Sequence, residues 1–129
     1  MDAARVTIVG NGRAYVEVRA SVLRQFWTVQ TVPLDEGALP DLDTDLVVVC
    51  HSLPEEERQG WVDRLRQQAP ALLIVRMSGY DAGPHLAADA TVDESRGPGA
   101  LVSAIYGLVT ERGLRSRTWH CSEEPNWVQ

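Results

Sequence analysis

Lysine is absent from this chain: all 12 basic side chains are arginine, they face 18 aspartates and glutamates, and the net charge is −6. Phosphate backbones and anionic headgroups are held by clustered cations, so the expectation is no nucleic acid and no membrane as partner. Cysteine is scarce as well. Two cysteines in 129 residues cannot make a disulfide framework, and both are expected as reduced thiols. No apolar run reaches the length of a membrane span, and no basic stretch followed by an apolar core opens the chain, which suggests a cytoplasmic location. Internal repeats and low-complexity tracts are also missing. What is present is 44% hydrophobic and 23% charged residues, at a length that suits one domain with a real core.

The segment Asp45-Leu46-Val47-Val48-Val49-Cys50-His51-Ser52-Leu53-Pro54 organises the rest. Its short β-branched run suits a central parallel strand covered on both faces, with Cys50 and His51 at the carboxyl end, where open α/β sheets bind ligands. Before it, residues 5–9 read as a strand, Gly10-Asn11-Gly12 as a turn, and 13–26 as an amphipathic helix with Ala14, Val18, Val22, Leu23 and Phe26 inward. A second strand spans 27–32 and stops at Pro33, and 34–44 holds at most two helical turns. After the central strand, Ser52 and Glu55 are spaced as a capping box, and the next helix turns Trp61, Val62, Leu65 and Ala69 to one side before Pro70. A buried strand over 71–77, a poor helix over 81–88 and a brief strand over 90–92 follow. A last helix runs from Pro98 to about Arg112, with Leu101, Val102, Ile105, Leu108 and Val109 inward, and Gly113 closes it. This β-α alternation predicts a flavodoxin-like α/β domain over residues 1–113, a five-stranded parallel sheet of order 2-1-3-4-5 with helices on both faces. Residues 114–129 are expected as a tail.

The acid opening the third strand, the Leu-Pro shortly after it, and the order and spacing of elements from Val6 to Arg112 resemble the receiver domains of response regulators in two-component signalling. In that family the resemblance implies an aspartate that takes up phosphate, an acidic pair that holds Mg²⁺, a Ser or Thr after the fourth strand and a Lys after the fifth. Laid onto this chain, the acidic pair falls on Gly10 and Asn11, the nucleophile on Cys50, the hydroxyl on Ser78, and the lysine near Asp93 or Glu94. Only Ser78 fits. Without carboxylates no hard-cation site forms, and acids in the lysine's place repel phosphate. The resemblance therefore implies a degenerate, pseudo-receiver domain that is not an enzyme, needs no cofactor or metal, and acts through a protein partner in a signalling pathway.

The alternative is a small enzyme or ligand-binding domain working at the Gly10-Gly12, Cys50-His51, Ser78 edge. Gly10-x-Gly12 with Asp35 partly imitates a dinucleotide fingerprint, but the third glycine is replaced by Tyr15, expected to obstruct helix-to-strand contact. Cys50-His51 and His120-Cys121 could be combined as zinc ligands, but adjacent strand residues point opposite ways, which also argues against a Cys50–His51 nucleophile and base. Glu55-Glu56-Glu57 reads as an acid-rich first helical turn. The polar tail is expected to be either disordered or docked through Trp119 and Trp127 as aromatic anchors, and Tyr80 and Tyr106 are candidates for a homodimer surface by analogy with the receiver family.

Overall fold

The computed structural model describes residues 4–37, 40, 43–78 and 88–113. Five strands form one sheet: β1 (Arg5–Gly10), β2 (Thr28–Pro33), β3 (Leu46–Val49), β4 (Leu73–Ser78) and β5 (Ala90–Asp93). Their order is β2-β1-β3-β4-β5 and every pairing is parallel, the flavodoxin-like arrangement expected from the sequence. Three helices pack on it: α1 (Arg13–Leu23), α2 (Glu55–Gln68) and α3 (Pro98–Arg112).

Alternate residues of each strand face opposite sides of a sheet, so each strand feeds two cores. On one side Ile8, Val48 and Val75 meet Val16, Ala20 and Leu23 of α1 and Leu101, Ile105 and Val109 of α3. On the other, Val9, Val47, Val49 and Ile74 meet Val62 and Leu65 of α2, with Trp61 and Ala69 partly buried against them. All four residues of β3 are buried, as a strand with a helical layer on either side requires.

Several local expectations change. Helix α1 ends at Leu23, and its buried face is Val16, Ala20 and Leu23, whereas Val18 is 64% exposed and Ala14 is exposed. A strict four-residue repeat drifts about 40° per step around a helix of 3.6 residues per turn, so the 16-20-23 stripe keeps its face inward and the 14-18-22-26 row does not. Trp27 precedes β2 as a fully buried core residue, tilted against Phe26. Pro33 is the last residue of β2, which an edge strand tolerates. Strand β4 starts at Leu73, and β5 extends through Asp93. The 34–44 connection contributes one 3-10 turn, Leu34–Glu36, among the described residues.

The Ser52–Glu55 capping box does not form. Pro54 occupies the cap position of α2 and no side chain caps the helix; Ser52 and Glu55 are both engaged elsewhere. Gly113 ends α3 in the left-handed region, φ +82°, as expected. Tyr80, Trp119, Trp127 and the poor helix expected over 81–88, apart from Ala88, lie outside the described residues. No helix among the described residues is long and apolar enough to cross a membrane.

Candidate functional site

Gly10, Asn11, Cys50, Ser78 and Glu94, the five positions singled out in the sequence, each end or follow one of β1, β3, β4 and β5 and so share the carboxyl rim of the sheet. Gly10 is the tightest point on it. A β-carbon there would stand 2.7 Å from Cys50 Cβ, 2.8 Å from Ser52 Oγ and 3.3 Å from a Val16 methyl, so nothing larger than glycine fits without movement. Ser52 fills that space for a reason: its Oγ accepts the Asn11 N–H at 2.9 Å. The next amide is also taken, since Gly12 N–H donates to Asp35 Oδ1 at 3.0 Å with Gly12 at φ +81°. A phosphate-cradling loop needs backbone amides turned toward its ligand, and here the amides of Asn11 and Gly12 are held by the chain's own side chains. Tyr15 does not obstruct the helix, contrary to expectation. It points outward, 60% exposed, with its ring edge-on to His51, while Val16 makes the contact with the sheet.

Cys50 and His51 do meet, against which the strand argument had weighed. Strand β3 stops at Val49, so the alternation of side chains ends one residue earlier than assumed, and Cys50 Sγ lies 3.8 Å from His51 Nδ1. His51 Nε2 in turn lies 3.7 Å from Glu94 Oε2, and Arg19 Nη2 stands at the same distance from that oxygen. The sequence Cys50–His51–Glu94 has the order of a nucleophile, base and orienting acid. Cys50, however, is completely buried, and reactive thiols are at least partly exposed. No group of three or more metal-ligating side chains forms among the described residues. Asp93, the other acid at the lysine's place, accepts from both the N–H and the Oγ of Ser95, which holds its carboxyl below the usual range.

Burial lowers the pKa of His51, the nearby Arg19 and Arg58 lower it further, and Glu94 opposes them. At neutral pH the ring is therefore uncharged. A histidine whose folded pKa lies below its unfolded value binds fewer protons folded than unfolded between the two, so its contribution to stability is complete above the ordinary histidine value and falls away on acidification. We expect His51→Asn to flatten the pH dependence of unfolding below about pH 6.5, measured by urea titration at a series of pH values. A variant that keeps the slope of the parent would show that His51 is not its source.

Sequence reading missed a cluster beneath the rim on the α2 side. Glu55 Oε1 accepts from Arg76 Nη1 and from Arg58 Nη2, each at 3.0 Å, and Arg58 Nη1 donates to the Met77 carbonyl at 3.4 Å. Arg76 is fully buried in β4 and Arg58 nearly so in α2. The signal was an arginine inside Leu73-Ile74-Val75-Arg76-Met77 and another, Arg58, three residues after Glu55, a spacing that places Glu55 and Arg58 on one helix face. Glu55 thus does more than favour a helix dipole. Ser78 is buried at the end of β4, and Tyr106 is half-buried against the α1–α3 core, where burial pushes its phenol pKa up.

Comparison with solved structures places this architecture. The chain has the fold of response-regulator receiver domains. It superposes on a receiver domain protein of Methanospirillum hungatei with a TM-score of 0.67 and 17% identity, covering 87% of this chain and 98% of that one. The signal receiver domain of an HD domain-containing protein from Pseudomonas fluorescens gives a TM-score of 0.70 at 14% identity, covering 86% and 98%. The response regulator RcsB of Salmonella typhimurium, studied for its interaction with DNA, gives 0.63 at 18% identity, with 89% of this chain on 63% of that one. No protein-family profile matches the sequence. No curated protein matches it either.

Proposed function

We propose that this chain is a receiver-like signalling domain that takes up no phosphate and works by binding another protein. The observation that carries this reading is the closed rim at Gly10. The position where a receiver would place a cation-holding acid has no room for a β-carbon, and the Asn11 amide beside it is tied to Ser52. At the nucleophile's place stands a buried thiol, and at the lysine's place stands Glu94, near Arg19 and His51. Mg²⁺ needs an octahedral set of oxygen ligands, and a transferring phosphoryl group needs positive charge around it. This rim supplies neither arrangement.

Incubation with acetyl phosphate and Mg²⁺ followed by intact mass is expected to show no added phosphate. A stoichiometric phosphate adduct would overturn the reading. The competing view, an enzyme or ligand-binding domain at the same edge, is addressed by thermal shift with nucleotides, phosphate analogues and zinc, because a ligand specific for the folded state raises the melting temperature by mass action. The occupied amides of Asn11 and Gly12 weigh against a nucleotide. The partner, a homodimer through Tyr106 and the location in the cytoplasm remain part of the proposal, supported by the receiver fold and the acidic, lysine-free composition.

A further inference from the structure

An open sheet has two free edges, and here they differ in charge. Strand β5 is four residues long, with Asp89 before it and Asp93 and Glu94 at its end, so two copies brought together along it would set acid against acid. Strand β2 runs six residues, carries no charge, and has its only proline at the last position. Charges and prolines are what usually keep an edge strand from pairing. From Thr28 to Val32, β2 has neither.

The register with β1 fixes which backbone groups of β2 are free. The Thr28 N–H donates to the Ala4 carbonyl at 3.1 Å. Alternate residues of a strand turn the same way, so Thr28, Gln30 and Val32 serve β1, while Val29 and Thr31 turn their N–H and C=O groups outward. Those outward groups have no hydrogen-bond partner among the described residues. The outward run is also bounded on both sides: the Trp27 N–H is taken by the Leu23 carbonyl at 3.0 Å, and Pro33 has no N–H.

We propose that β2 pairs antiparallel with β2 of a second copy about a two-fold axis at Gln30, joining the two five-stranded sheets into one. An isologous contact requires a patch that complements itself. In this register Val29 of each copy lies opposite Thr31 of the other, and each such pair exchanges both of its hydrogen bonds, so every outward N–H is satisfied. Gln30, which is exposed, faces its own mate in a non-hydrogen-bonded pair, where side chains come closest and the two amides can bond each other. Helix α1 lies over β1 and β2, so its two-fold mate would stand two strand spacings away, about 10 Å, the separation of packed helices. Charges along that seam balance within each copy, Arg13 against Glu36 and Arg24 against Glu17, so it meets no repulsion like that at β5.

Sedimentation velocity of the full chain over a range of concentrations tests this, and the parent is expected to form a dimer. Gln30→Lys and Gln30→Glu each set like charges opposite one another at an exposed position where folding should not suffer. Each should raise the dimer dissociation constant by about tenfold or more. An equimolar mixture of the two should dimerise again, because a residue that faces its own mate is rescued by the opposite charge. Thr28→Lys mixed with Thr28→Glu, also exposed but facing Val32 of the second copy, should show no such rescue. A parent that stays monomeric at every concentration would overturn the proposal and leave this edge to a strand from another protein. So would a dimer indifferent to both Gln30 substitutions, which would place the contact on another surface such as that of Tyr106. A Gln30 mixture that stays monomeric, or rescue by the Thr28 pair in its place, would equally exclude the axis at Gln30.

Discussion

Glu55→Ala should lower the free energy of unfolding by about 3–5 kcal/mol, the usual cost of removing one partner from a buried ion cluster. Glu55 is the shared acceptor of two buried guanidiniums, both on its Oε1 at 3.0 Å. Its loss leaves Arg58 in α2 and Arg76 in β4 facing each other without the carboxylate between them. Arg76 is completely buried, but the Glu55 side chain is 26% exposed, which places the loss toward the lower end of that range. Glu55→Gln, which keeps the shape and one acceptor oxygen, should fall between the parent and Glu55→Ala. The pair Glu55→Leu with Arg76→Met should recover part of the loss, since well-packed apolar side chains often replace buried charges at little cost. Urea unfolding of the four proteins decides the matter: a loss below about 1 kcal/mol for Glu55→Ala would mean that the cluster is solvated like a surface pair.

The cluster also shows what was legible in the sequence and what was not. Strand order could be read because β-branched runs alternate with helical periodicity, and those patterns are local. The rim positions could be aligned for the same reason: Gly10, Asn11, Cys50, Ser78 and Glu94 each end or follow a strand. Side-chain pairings are a different kind of fact. Glu55 and Arg76 are 21 residues apart, and only the packing of α2 on β4 brings them together. The capping box failed on similar grounds, because Ser52 finds a better donor in the Asn11 amide, 41 residues away, than in its own helix. Even the Cys50–His51 approach turned on a single boundary, the end of β3 at Val49. Alternation arguments hold inside a strand and lose force one residue past it.

That boundary leads to the sharpest consequence, at Gly10. Replacing glycine by alanine ordinarily stabilises a chain a little by restricting the unfolded state. At Gly10 we expect the reverse: Gly10→Ala should cost about 1–3 kcal/mol, the range for overpacking a close-fitted site, and Gly10→Asp more, because its carboxylate would also be desolvated without a cationic partner. The obstruction is chiefly Cys50 Cβ at 2.7 Å, an atom that every residue except glycine shares. Cys50→Asp therefore leaves the clash intact, and the apparent restoration of a receiver site, Gly10→Asp with Cys50→Asp, should yield an unstable protein that still accepts no phosphate from acetyl phosphate. Ser52→Gly removes the second contact, 2.8 Å from the same point, but frees the Asn11 amide. A double-mutant cycle isolates the cause: the cost of Gly10→Ala should shrink in a Cys50→Gly background, as expected for residues in direct contact. If Gly10→Ala changes stability by less than about 0.5 kcal/mol with Cys50 in place, as an unconstrained surface substitution would, the rim is not closed by packing, and only the missing charges would stand between this fold and phosphate.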